Sequence, residues 1–491
     1  MPIVEETTRS AHRGVYLGMG RHGFAWAGAE RSTLVLGPSR AGKTSALVIP
    51  NVLCAQGAVV ATSTKPDLLR ATARARASSG WCLAFDPTGT LELPEGVHHV
   101  GWSPVHAARE WRGALEIADA MVRTASGGTA AGAAGSERHW VERAAALLAP
   151  LLHAASLDGI PMRGVLHWVD RHDGTAALDT LVARLGDEAV PTDLLAGILT
   201  TDTREQSGIW STASGVLGAY RSPGALASTE PPYLDPDAFC AGPNTLFVCA
   251  PAAQQQLVAP LVVAMLSQVR DAAYRRAAAD TLPDPGSGHA PVLLALDEVA
   301  NIAPLPDLPS LVTEGPGQGL LTLACLQDLS QARARWGPEA DSFVSLFGAT
   351  VVLGGIADMR TLETISALSG DQEVPSRSIG LSTGAGGRQV SATDATVLRR
   401  RLPLDAVARG RHGWALCVDS HNRLGWVRLT PAHSAWPWCE RSVRRPSRAD
   451  LAASLRTTTA RDTRAVMRDS PSGHRGRSAA GGPTLTGRRL P

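Results

Sequence analysis

The sequence predicts an α/β protein built on a mostly parallel central sheet. Three observations predict it. Short apolar, β-branched runs recur at residues 32–36, 58–62 and 81–85, with helix-like segments between them. Similar runs return at 245–249, 291–296, 320–326 and 350–353. Between the two sets, residues 106–225 read as helix after helix. Strands separated by helices need crossover connections, which favour parallel pairing with both sheet faces covered.

Each element follows from local pattern. Residues 14–36 read as short strands with glycine turns, and the last run, Ser32 to Leu36, ends at Gly37. Ser45 to Val52 reads as a helix with Pro50 as its kink or end. Ala58 to Thr62 is a buried strand, Leu68 to Ala77 a helix, and Trp81 to Phe85 a strand stopped by Asp86-Pro87. Residues 125–136 are nearly all glycine, alanine, serine and threonine, the composition of a flexible loop. A helix follows, with Trp140, Ala144, Leu147, Leu148, Leu151 and Leu152 on one face. Further helices are broken at Pro161, Gly186 and Pro191. Trp414 to Val418 and Gly425 to Leu429 read as a closing strand pair.

At 491 residues the chain is long for one compact domain, which predicts a main domain with an insertion or a tail. Its 44% hydrophobic and 19% charged residues describe a globular chain with a sizeable core. Aromatics are only 4%, so platforms for stacking single-stranded bases are few. The seven cysteines form no CxxC pair and read as reduced cytosolic thiols. The histidines show no HExxH spacing, so no structural metal is expected. No apolar run of about 18 residues stands out, so no membrane span is expected. Residues 1–13 lack the apolar core of a signal peptide.

Charge is uneven. Residues 440–491 hold twelve arginines against four acids and read as a flexible basic C-terminal tail. Such tails contact nucleic acid or acidic partners, or are simply solvated. Only two lysines, Lys43 and Lys65, occur among 47 basic residues. Where arginine has replaced lysine so widely, a retained lysine marks a place where a compact ammonium does what a planar fork does not.

Lys43 lies in Gly37-Pro38-Ser39-Arg40-Ala41-Gly42-Lys43-Thr44, which fits GxxxxGK[ST]. Glycines let the backbone wrap an anion with its amides inward, and the following helix adds its positive end. The loop from Gly37 to Ser45 is thus the candidate ATP cradle. Within it, Lys43 is a catalytic candidate reaching the β and γ phosphates, and Thr44 is a candidate Mg²⁺ ligand. A buried strand before the motif and a helix after it are the required context.

A second motif, Pro291 to Glu298, is an apolar strand that delivers two carboxylates at its C-terminal end, where ligands bind in such sheets. Asp297 is the candidate Mg²⁺ ligand, and Glu298 would orient or deprotonate the attacking water. The next strand, Leu321 to Leu326, ends in Gln327. Gln327 is a candidate γ-phosphate sensor; its alternative role is to cap the following helix.

Together these pieces resemble the type IV coupling proteins of conjugation and type IV secretion. Leu47 to Leu53, with Pro50 inside, resembles that family's proline-containing first helix. Thr64-Lys65-Pro66-Asp67-Leu68 is similar to its Asp-Pro-Lys-Gly-Glu-Leu stretch, with the aspartate and glycine altered. Phe85-Asp86-Pro87, Gly101-Trp102-Ser103-Pro104, His139-Trp140, Gly208 to Thr212 and Ser228 to Pro232 resemble further family segments. The match is strongest from Leu296 to Gln331, including Thr313 to Gly319. It spans roughly residues 14–430.

The resemblance implies a RecA-like P-loop NTPase. Residues 1–105 and 226–439 would form its nucleotide-binding domain, 106–225 an inserted all-α domain, and 440–491 the tail. It implies an ATP- and Mg²⁺-dependent motor, a homo-hexameric ring, delivering DNA or a relaxase–DNA substrate to a type IV secretion apparatus. Two departures matter. The family carries an arginine where Pro316 stands, and Arg333, Arg335 and Arg360 are substitutes between which the sequence does not choose. The family's N-terminal membrane anchor is not evident, which implies a cytoplasmic protein, or one held at the inner face of the cell membrane by a membrane partner. Two alternatives stand beside this reading: a non-catalytic ATP-binding adaptor ring, and a double-stranded DNA translocase of the chromosome-segregation type.

Overall fold

The computed structural model has fourteen strands among its described residues: β1 (Tyr16–Met19), β2 (Phe24–Trp26), β3 (Thr33–Leu36), β4 (Val59–Ser63), β5 (Cys82–Phe85), β6 (His98–His99), β7 (Thr245–Cys249), β8 (Val292–Leu296), β9 (Leu320–Leu326), β10 (Ala349–Leu353), β11 (Asp371–Gly384), β12 (Gly387–Arg400), β13 (Trp414–Asp419) and β14 (Leu424–Arg428). The structure describes residues 14–127, 135–279, 290–384 and 387–442. The expected basic tail and most of the expected loop at 125–136 lie outside them.

Twelve strands form one sheet in the order β2-β1-β14-β13-β10-β3-β9-β8-β4-β7-β5-β6. From β10 to β6 every neighbouring pair is parallel; β13, β14, β1 and β2 continue one edge antiparallel. The strands of the parallel part are short, apolar and buried on both faces. In β3, Leu34 and Leu36 face one core while Val35 faces the other. In β8, Val292, Leu294 and Leu296 take the first face, Leu293 and Ala295 the second. This is the expected signature of a sheet covered by helices on both sides.

Between β6 and β7 the chain is helical. Its longer members are Trp111–Ala125, Gly135–Leu157, Met162–Arg171, Thr175–Leu185, Val190–Leu199 and Thr203–Val216. The breaks read from sequence sit at their ends: Pro161 precedes one helix, Gly186 closes another, and Pro191 lies in the first turn of a third. Trp210, Leu147 and Leu151 of this block share a single apolar core with Leu36, Val60 and Phe85 of the sheet.

Three features differ from the sequence reading. The helix after the glycine-rich loop is not ended by Pro50. It begins as a π-turn, Thr44–Val48, and continues as an α-helix, Ile49–Cys54. The wider π spacing accommodates a residue that lacks an amide. Next, the helix Gln255–Ala279 is long and apolar enough to cross a membrane, although no such span was expected; 72% of its most apolar stretch is buried inside the protein. Last, β11 and β12 form a separate two-stranded hairpin, where the sequence reading placed no element.

Candidate active site

The glycine-rich loop follows β3 directly, and its neighbours define its shape. Gly37 donates its N–H to Leu326 O at 3.2 Å, tying the loop to the tip of β9. A β-carbon at Gly37 would lie 2.9 Å from Leu353 Cβ on β10, so only glycine fits there. Gly42 has φ +96°, a region that favours glycine. Arg40, at the loop's apex, also has a positive φ, 65°, which for a non-glycine residue is strained.

Lys43 is buried, and its ammonium donates to Gly37 O and to Pro38 O (3.1 Å). The compact cation is thus folded into the hollow of its own loop. Thr44 opens the π-turn, and its hydroxyl donates to Asp297 Oδ2. Residues 253 positions apart in sequence meet there. A hydroxyl and a carboxylate are hard oxygen donors of the kind Mg²⁺ selects, so this pair fits the ion.

Asp297 stands one residue beyond β8 and is buried, with its backbone carbonyl held by Thr62 Oγ1 of β4 at 3.1 Å. Burial raises its carboxyl above the ordinary value; the hydroxyl of Thr44 works the other way, and the adjacent Glu298 carboxylate adds to the rise. Glu298 is half-buried and left-handed, with φ 59° and ψ 48°. Its side chain has no hydrogen-bond or ion partner among the described residues. A strained carboxylate without a partner, beside a buried aspartate, is the arrangement that stored backbone strain commonly accompanies at functional sites.

Strand order explains how these groups meet. β9 lies between β3 and β8, so Gln327 at its tip sits between the loop and Asp297. The capping role falls to its neighbour. Asp328 accepts from Ser330 N (2.9 Å) and Gln331 N (3.1 Å) and starts the helix Leu329–Trp336. Gln327's own amide N–H donates to Gln331 Oε1 at 2.9 Å, and its side chain has no partner among the described residues. Lys65 is exposed in the turn after β4, next to β8. Pro316 lies in a short 3₁₀ turn, Gly315–Gln318.

The three arginines offered as substitutes have different surroundings. Arg333 is engaged by Asp341 (2.8 Å) and Asp358 (3.6 Å). Arg335 is half-buried, its Nε without a partner. Arg360 is exposed near the start of the helix Met359–Leu368.

Sequence reasoning did not single out Asn51 for a structural role. Its buried amide clasps β1: Tyr16 N–H donates to Asn51 Oδ1 (2.7 Å), and Asn51 Nδ2 donates to Tyr16 O and Leu47 O (both 2.9 Å). The residue after a proline within a helix was the available signal.

Comparison with known proteins bears on this geometry. Residues 3–402 match the family model described as type IV secretory system conjugative DNA transfer. Comparison with curated proteins returns no match. Among solved structures, the bacterial conjugative coupling protein TrwBdeltaN70 in its unbound monoclinic form aligns with TM-score 0.61 and 20% identity, covering 84% of this chain and 88% of that one. The plasmid coupling protein TrwB in complex with ADP and Mg²⁺ gives 0.60 and 20%, covering 82% and 86%. TrwB with the non-hydrolysable GTP analogue GDPNP gives 0.59 and 20%, again covering 82% and 86%. At this identity the structures establish the shared fold, and the family model, covering most of the chain, establishes kinship: this chain belongs to the type IV secretory system conjugative DNA transfer family.

Proposed function

We propose that the chain is an ATP-hydrolysing motor that delivers DNA, or a relaxase–DNA complex, to a conjugative type IV secretion apparatus. The observation that carries this reading is the meeting of Thr44 with Asp297 beside the Lys43 loop, in a chain of this family. The nucleotide complexes of TrwB support the choice of ATP and Mg²⁺.

In this reading the amides of residues 37–45 hold the phosphates, and Lys43 leaves its loop carbonyls to meet the β and γ oxygens. Thr44 and Asp297 hold Mg²⁺, which when bound offsets charge on the phosphates. Glu298 orients the attacking water and accepts its proton, and Gln327 senses the γ-phosphate. Residues 1–105 and 226–439 form the motor, 106–225 the inserted all-α domain that receives cargo, and 440–491 the basic tail. Six copies form a ring at the inner face of the membrane with a membrane partner.

Pro316, where the family resemblance expects arginine, favours a second reading: an adaptor ring that binds ATP without turnover. ATP hydrolysis by wild type and Glu298→Gln, with and without DNA at two salt concentrations, separates the two. The motor reading expects DNA-stimulated turnover, weakened by salt, and a loss of about 100-fold or more in Glu298→Gln. Nucleotide binding without turnover in either protein would leave the adaptor.

A further inference from the structure

Arg40 occupies the one non-glycine left-handed position in the glycine-rich loop. Alternating backbone handedness is what turns successive amides inward into an anion-binding nest, and here Arg40 and Gly42 have positive φ while Lys43 is right-handed. The nest needs that backbone at position 40 but needs no side chain there, and glycine would adopt it without a β-carbon penalty. An arginine at this strained position therefore points to work for its guanidinium.

The surroundings say what work. Arg40 is exposed at the loop's rim, and its side chain has no hydrogen-bond or ion partner among the described residues. The fixed charges of the site are unbalanced: Lys43 stands alone against Asp297 and Glu298, before any phosphate arrives. Of the other arginines considered, Arg333 is already neutralised by two aspartates, Arg335 is half-buried, and Arg360, though exposed, lies outside the loop in the helix Met359–Leu368. A guanidinium is a planar fork that pairs with two phosphate oxygens at once, which an ammonium does not do.

We propose that Arg40 folds back over the loop of its own chain and pairs with the terminal phosphate of a bound nucleoside triphosphate. This rests on the nucleotide reading of the site. It makes Arg40 the residue that distinguishes triphosphate from diphosphate, supplied in cis from within the phosphate loop.

The test measures binding of a fluorescent non-hydrolysable ATP analogue and of fluorescent ADP to wild type, Arg40→Gly and Arg40→Asn. Glycine relieves the strain, and asparagine tolerates it while keeping a side chain. Loss of a charge-assisted phosphate contact weakens triphosphate affinity about tenfold to a hundredfold. Diphosphate affinity is expected to fall by less, so that the preference for triphosphate over diphosphate drops about tenfold, and both variants are expected to melt no lower than wild type. Unchanged triphosphate affinity in both variants overturns the proposal. So does equal loss of both nucleotides with a lowered melting temperature, which would assign Arg40 to loop structure. If wild type binds neither nucleotide, the nucleotide reading itself fails, an outcome visible before any variant is compared.

Discussion

Replacing Asn51 by leucine tests whether β1 is anchored to the helix after the glycine-rich loop through a single side chain. Val15, just before β1, accepts from the N–H of Ala27, just after β2, at 2.7 Å, which turns the peptide groups of Tyr16 the other way. No strand lies there; the Asn51 amide takes the place of one, accepting from Tyr16 N–H and donating to Tyr16 O. Leucine keeps the branched shape, so the change opens no cavity, but its methyls are bulkier than the amide and need more than the 2.7–2.9 Å that separates Asn51 from Tyr16, so some overpacking adds to the cost. What it does is strand two buried backbone groups, each costing about 1–3 kcal/mol, for a total of about 2–6 kcal/mol. The loss should be local first, because β1 meets β14 at one register pair. Amide exchange at Ala27 is the readout, since that bond survives the substitution and opens only when β1 and β2 detach. Even the low end of the range predicts about 30-fold faster exchange. Asn51→Asp sharpens the test. It keeps the acceptor but places a carboxylate against two carbonyl oxygens, so it should be worse than leucine at neutral pH and recover on acidification, when the protonated acid can donate. Ala27 protection within twofold of wild type in Asn51→Leu would refute the argument, because the Tyr16 groups would then have another partner or reach water.

Three further outcomes follow from the site. Asp297→Asn removes a buried carboxylate whose pKa is raised by burial. The folded state binds more protons than the unfolded one between the ordinary carboxylate range and that raised value, so wild-type stability falls as pH rises through this window. The variant should lose that dependence, be at least as stable without ligand at neutral pH, and lose the thermal upshift given by Mg²⁺ with ATP; a ligand-free melting temperature well below wild type would contradict this. Glu298→Gly relieves the left-handed backbone and should stabilise the fold by about 1 kcal/mol while abolishing turnover, checked by urea unfolding and phosphate release. Gln327→Ala should leave stability within about 0.5 kcal/mol, since Asp328 makes the cap, and lower turnover; Asp328→Ala should cost about 1 kcal/mol.

The strand pattern of the sheet was legible because its parallel strands are buried on both faces, which leaves runs such as Thr245–Cys249 and Val292–Leu296 with no polar interruption. The glycine-rich loop and the carboxylate pair stood out for a related reason: the motifs they fit fix residue type and spacing. The hairpin β11–β12 was not. Pro375 lies inside it, and its apolar residues Ile379, Val390 and Leu398 are more than 60% exposed, so no alternation between a buried and a solvent face marks it as strand. The long helix Gln255–Ala279 hid its span-like character behind Pro260 and scattered polar residues. Whether Gln327 caps the following helix could not be settled without the strand's end, Leu326, which falls two residues before the cap, Asp328. The anchor at Asn51 was invisible for a different reason: its partner is a backbone 35 residues away, and backbone groups leave no trace in residue identity.

The two faces of the sheet divide the consequences of occupying the site. Leu47 and Val48, on the helix that follows the phosphate loop, pack into the core on one face, with β1, Tyr16 and Trp438. The helical block between β6 and β7 packs into the core on the other. The helix after the loop is therefore packed with the edge strands and not with that block. The carboxylate side is placed differently. Val299 and Ile302, immediately after Glu298, belong to the same core as the block, and the chain then reaches Asp307, which Arg270 of the helix Gln255–Ala279 binds through its guanidinium. That helix packs against Trp111–Ala125, and its Gln268 accepts from Trp102 Nε1 at 2.7 Å. Glu298 is the strained residue at the head of this chain of contacts. If its backbone relaxes when the site changes occupancy, the displacement enters the core that the helical block shares. The carboxylate side thus offers a contiguous packed route between the site and the block, and the loop joins it through the hydrogen bond of Thr44 to Asp297.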